Sequence, residues 1–325
     1  GSLSSIAMRR GRWAEAQRGF EASLALKLAV LADHPDDVDA QDAIASARAW
    51  LGQLAHLKGD SRRALALYDT ARTVQRQLQQ ARPGEAVRLR DLGVIESRRA
   101  EALQALGRPL DAIAARQAAA HWMRQALVDG ASNAFWQAES LLADSALLLA
   151  QSDAGMPVTA EMAALQRRLA GHDQAGQAMR EWRQGAVQAR LVLAAQALRA
   201  RDPAKGRAAA SAAAQDIRGL MAQYPYLWQG RELQARAVML LLQAEAGASA
   251  LTGPYPAAQC KAARSALQPA IDTGQAGFVR EAWLVARACA GEGAVTGADV
   301  QTLTQGGYRP QSPAFLNAVS TRIAP

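Results

Sequence analysis

Cysteine is almost missing from this 325-residue chain, which holds only Cys260 and Cys289. Two cysteines exclude a disulfide-stapled scaffold and a cysteine-based zinc ribbon. Histidine is nearly as scarce: His34, His56, His121 and His172 are far apart, and no two stand at the three- or four-residue spacing of a helical ligand pair. No metal site is expected from them. Aromatic residues make up 5% and β-branched strand formers are sparse, which argues against an all-β or doubly wound fold. No run of roughly eighteen apolar residues is free of charge, so no segment reads as a membrane span. There is no nucleophile elbow, and no glycine-rich phosphate loop follows a strand. Gly291-Glu292-Gly293-Ala294 comes after a helical pattern and reads as a linker. No catalytic residue and no cofactor is expected.

What the chain has in quantity is alanine, with 77 residues, and half of all residues are hydrophobic. Alanine is the best helix former and lets helices approach closely. The net charge is +8, with only Lys27, Lys58, Lys205 and Lys261 contributing lysine. The remaining basic residues are arginines spread along the chain rather than gathered in a stripe. They read as solvated helix faces, and nucleic acid is not an expected partner. Gly1-Ser2 reads as a tag-cleavage scar, and further domains or a membrane anchor are expected upstream.

A repeat runs through the sequence. Gly11, Gly59, Gly107 and Gly155 are spaced by 48, and Ala16, Ala64, Ala112 and Ala160 each follow five residues later. The next steps fall on Asp202-Pro203 with Ala208, then on Thr252-Gly253-Pro254. Each repeat reads as two antiparallel helices of about twenty residues around a glycine that takes the left-handed cap conformation. The expected fold is all-α: an α-α superhelix of about six long antiparallel hairpins over residues 3–290. A helix at 275–290 ends it, and a C-terminal cap over 291–325 carries short helices near 297–304 and 313–321.

Leu51-Gly52, Gly59, Ala64, Tyr68 and Ala71 stand at the spacing of the tetratricopeptide consensus, and Gly11, Ala16 and Phe20 repeat its second half. The chain therefore resembles tetratricopeptide (TPR) repeat proteins, with a period of 48 in place of their usual 34. Asp129, Asn133 and Trp136 resemble an L-x-x-D-x-x-N-x-x-W junction, with the aspartate one residue early. Gly307-Tyr308-Arg309, Pro313 and Phe315 resemble a terminal G-Y-R-x-P-x-F signature with two residues inserted. Both are associated with helical-repeat segments of bacterial signalling proteins, where they follow Ser/Thr kinase or winged-helix modules. The resemblance implies a non-catalytic domain that binds a protein, a peptide or a small envelope ligand. Its expected place is the C-terminal, periplasmic sensor part of a transmembrane Ser/Thr kinase. The alternative is a cytoplasmic adaptor or the effector domain of a winged-helix regulator.

In such repeats the first helices line the concave face. Arg88, Arg90, Arg98, Gln137, Glu139 and Arg183 fall there and suit an extended acidic or polar peptide. Trp50, Trp136, Trp182 and Trp228 recur in first helices, as core or as a ligand wall. Glu96 and Glu101, set among arginines, read as surface ion pairs. Asp33-His34-Pro35-Asp36-Asp37 reads as a helix-initiating turn rather than a cation loop. Cys260 and Cys289 flank Gly274 by 14 and 15 residues, so an antiparallel hairpin would bring them to equal height. They are either a disulfide, which would favour an oxidising compartment, or two buried apolar fillers.

Overall fold

The computed structural model describes residues 2–171, 177–246, 256–312 and 315. Among them are fourteen helices and no strand. They are α1 (Ser2–Arg9), α2 (Trp13–Asp33), α3 (Val38–Leu57), α4 (Ser61–Ala81), α5 (Ala86–Ala105), α6 (Pro109–Asp129), α7 (Ala134–Asp153), α8 (Thr159–Ala170), α9 (Arg180–Arg199), α10 (Pro203–Gln223), α11 (Trp228–Ala246), α12 (Ala257–Asp272), α13 (Phe278–Cys289) and α14 (Gly297–Thr304). The chain is an all-α superhelical solenoid: six hairpins, α1–α2 to α11–α12, then α13, α14 and a C-terminal strap. The fourth hairpin is shorter on one side than the repeat predicts, because α8 has 12 residues. His172, the Thr252-Gly253-Pro254 turn and most of 313–321 lie outside the described residues.

The local chemistry explains the boundaries. Asp37 accepts from the amides of Asp39 and Ala40 at 2.9 and 3.0 Å, so the Asp33–Asp37 stretch is the cap of α3. Asp60, Asn133 and Asp202 cap α4, α7 and α10 in the same way. Pro109 and Pro203 open α6 and α10, where a missing N–H costs nothing. Gly11, Gly59, Gly107 and Gly155 take φ of 73, 86, 70 and 78°. In the fifth hairpin Arg201 takes that place at φ 60°.

The alanine register holds for Ala16, Ala64 and Ala112, all buried, and fails for Ala160 and Ala208, both exposed. The turn after Gly155 is two residues longer than its counterparts, so Met162 reaches the buried position that alanine fills elsewhere. In the fifth hairpin the turn residue is Arg201, and five residues on is Gly206, which is buried. Close packing selects these small residues. At Gly52 an added Cβ would lie 2.7 Å from the ring of fully buried Tyr68. The glycine therefore lets that ring lie flat on α3.

Consecutive helices pack on one another, and the first helices form an inner layer in which α7 packs on α9, α9 on α11 and α11 on α13. The layer then closes on itself. Trp228 of α11 packs into the cluster of Met8, Phe20 and Leu54 from the first two hairpins. The Ala276 amide donates to the Leu57 carbonyl at 3.1 Å. After α14 the strap crosses the turns of the second and third hairpins. There the Arg62 amide donates to the Gly306 carbonyl and the Arg309 amide to the Ala105 carbonyl. The solenoid therefore completes one turn, and its two ends are bonded together.

Cys260, near the start of α12, and Cys289, the last residue of α13, are joined as a disulfide with Cα atoms 5.7 Å apart. It ties the two antiparallel helices below α11. Among the described residues no helix is long and apolar enough to cross a membrane.

Candidate functional site

The inner layer curves around a channel, open to solvent, with two chambers and a neck. The first chamber, about 640 Å³, lies between α3, α5, α7, α9 and the Gln223–Gln229 segment, with Trp50, Arg98, Glu139 and Trp228 in its wall. The second, about 710 Å³, lies between α9, α11 and the start of α13, with Leu198, Arg201, Met239 and Phe278. The neck has room for only about 100 Å³ and is lined by His56, Glu101, Arg116, Glu232 and Arg236. Glu101, Arg116 and Gln188 border both neck and first chamber, while Asp153 and Arg236 border both neck and second.

Of the six residues expected on the concave face, the structure brings three into the first chamber. Arg90 grips Glu139 with two hydrogen bonds, 2.5 and 2.7 Å, and lies 5.5 Å over the Phe135 ring. Arg98 lies 4.7 Å over Trp50, which in turn stacks on Phe20 at 5.9 Å with the rings 4° from parallel. The other three are held elsewhere. Arg88 is buried against Glu85 and Asp42 between α3 and α5. Gln137 donates to the Ala131 carbonyl at the start of α7. Arg183 donates to Gln223. Of the four tryptophans, Trp50 and Trp228 line the chamber, and Trp182 packs on the core of the fourth and fifth hairpins.

The two glutamates read as surface pairs are not on the surface. Glu96 is fully buried and meets Arg72 at 2.5 Å and Arg99 at 3.3 Å. Glu101 sits in the neck, 3.8 Å from Arg116. Their arginines come from the outer helices α4 and α6 as well as from α5, so the pairs bridge layers that local spacing does not reveal.

The neck is a low-dielectric setting in which charges act strongly on one another. Burial pushes the Glu101 carboxyl up and the Arg116 guanidinium down, each partly offset by its partner. Burial also works against a charged His56, but Glu232, 3.6 Å away on α11, outweighs it and raises the imidazole above its usual 6.5. That pair crosses the seam between the second and sixth hairpins. Nothing in the sequence marks His56, Glu101, Arg116, Glu232 and Arg236 as neighbours. Their one local sign is that each is a polar residue breaking an otherwise apolar helix face.

Among the described residues no three acidic, histidine or cysteine side chains converge as a metal cluster. The channel offers fixed guanidiniums, amides and aromatic faces, which is the equipment of a binding site. Comparison with protein-family models and with curated proteins found no match to the chain.

Proposed function

We propose that the chain is a non-catalytic, ligand- or peptide-sensing domain of tetratricopeptide-like hairpins, with the channel as its sensing surface. The observation that carries this reading is the two-chambered channel, open to solvent, that the first helices of the hairpins line. Each chamber falls within the roughly 300–1,000 Å³ of small-ligand sites and mixes apolar walls with a few fixed polar groups. The neck favours an occupant seated in one chamber, such as a small envelope ligand or the end of a peptide, over a chain threaded through.

The fitting context is the C-terminal sensor part of a bacterial transmembrane Ser/Thr kinase. The resemblance at 127–136 and at Gly307-Tyr308-Arg309 supports it. The Cys260–Cys289 disulfide supports an oxidising compartment such as the periplasm over the cytoplasmic alternative. Signalling would use the seam: a ligand that touches both ends of the solenoid binds the closed ring better than the open one and shifts the population between them.

The test is affinity-selection mass spectrometry with short peptides and envelope metabolites, on the parent chain and on Leu142→Trp, which fills the first chamber from α7. Retention by the parent and loss in the variant supports the reading. Equal retention by both, or none by either, overturns it.

A further inference from the structure

We infer that the first chamber is a site for an organic anion with a planar apolar body, its acid group held at Arg98. This rests on the channel being the sensing surface.

Charge balance carries the inference. Among the described residues the chamber wall holds five arginines and three carboxylates. Three of the arginines are matched: Arg90 with Glu139, Arg180 with Glu181 and Arg116 with Glu101. Arg98 and Arg9 have no hydrogen-bond or ion-pair partner among the described residues. Arg9 is exposed at the mouth. Arg98 is half-buried, and its guanidinium is supported by the neutral ring of Trp50, itself held by Phe20. A stacked guanidinium is pre-organised and keeps its N–H edge free for a bidentate acid group. A half-buried cation with no direct ion pair, on which Glu101 acts only through space while paired to Arg116, leaves a field that an anion from solution satisfies.

The walls define the rest of the ligand. Trp50, Tyr224, Tyr226 and Trp228 all border this chamber, whereas among the described residues Phe278 is the one aromatic bordering the second. In the second chamber Arg199 is bonded to Ser152 and Arg236 to Asp153, while Arg201 is exposed and stacks on no ring among the described residues. A planar body therefore finds its stacking surfaces beside Arg98. Carboxylate, phosphate and sulfonate share the chemistry that the guanidinium reads.

The probe pair is 8-anilinonaphthalene-1-sulfonate and N-phenyl-1-naphthylamine, which has the same rings and no acid group. Each is titrated by fluorescence into the full chain. The sulfonate is expected to bind one saturable site at least about tenfold more tightly than the amine. Arg98→Gln should weaken the sulfonate about tenfold and leave the amine unchanged, and Arg218→Gln, exposed on α10 and outside both chambers, should change neither. Equal affinity for the two probes in the parent overturns the anion assignment. If Arg98→Gln has no effect but Leu142→Trp abolishes binding, the Arg98 assignment falls and the channel reading stands. If neither variant changes binding, both fall. Circular dichroism checks that Leu142→Trp is folded, and Val94→Trp fills the same chamber from α5 if it is not.

Discussion

The backbone amide of Arg309 donates to the carbonyl of Ala105 at 2.7 Å, tying the C-terminal strap to the turn of the third hairpin. Besides the Arg62–Gly306 and Gln104–Gln311 bonds, one buried carboxylate gathers the strap. Glu281 of α13 is fully buried and accepts from the Tyr308 hydroxyl at 2.5 Å and from the amides of Gln311 and Ser312. One acid thus takes three hydrogen bonds from the segment that meets the third hairpin.

Tyr308→Phe keeps the ring and removes one donor from a buried carboxylate. It should cost about 1–3 kcal/mol in urea unfolding. Amide exchange at Arg309 should speed up in step. An unchanged midpoint would mean that the strap is not held through Glu281.

Arg201 sits at φ 60° where the first four hairpins use glycine. A side chain in that region costs roughly 1–2 kcal/mol, and glycine gives part of this back in unfolded-state freedom. Arg201→Gly should therefore stabilise the chain, by about 0.5–1 kcal/mol. A destabilised variant would mean that the arginine makes a contact worth more than the strain.

Stability should fall as pH rises. On α5, burial pushes the Asp91 carboxyl up to about 6, against the pull of Arg90. The folded chain therefore holds this proton more tightly than the unfolded chain, where the value is near 3.8. The contribution is complete below that value and is lost as pH climbs through about 6. Asp91→Asn should match the parent near pH 4 and exceed it at pH 7. His56 adds the same sign higher up: its bond to Glu232 is complete below 6.5 and is lost as pH rises through the raised folded value. Urea midpoints of the parent, Asp91→Asn and His56→Gln from pH 4 to 9 check both.

The disulfide closes a sequence separation of 29 residues. A bridge of that span stabilises by about 3–4 kcal/mol in the chain-entropy description. Thiol titration in denaturant should find no free thiol in protein purified without reductant, and reduction should lower the thermal midpoint. Two free thiols would remove the physical support for an oxidising compartment.

Much of the fold was legible because it is local. Gly11, Gly59 and Gly107 mark turns by a backbone conformation that few other residues adopt, and Asp37, Asp60 and Asn133 mark helix starts. The reading slipped where turn length changed: two added residues after Gly155 exchange Ala160 for Met162, and Arg201 with Gly206 replaces the expected pair at 203 and 208. The site was half legible. Arg90, Arg98 and Glu139 could be placed on the inner layer because every first helix faces it. The neck could not be read, since Glu101 meets Arg116 from an outer helix and His56 meets Glu232 across the seam. Closure itself joins Leu57 to Ala276 and Ala105 to Arg309, and no pattern within one repeat encodes contacts between repeats so far apart in the chain.

Ring closure is the claim on which the channel, the seam pair and the Arg98 site all depend. Small-angle X-ray scattering of the full chain tests it most directly. A closed single turn predicts a radius of gyration near the compact-chain value, roughly 20 Å for 325 residues, with a distance distribution that ends sharply. A clearly larger radius with a long tail in that distribution, the signature of an open solenoid, would contradict it.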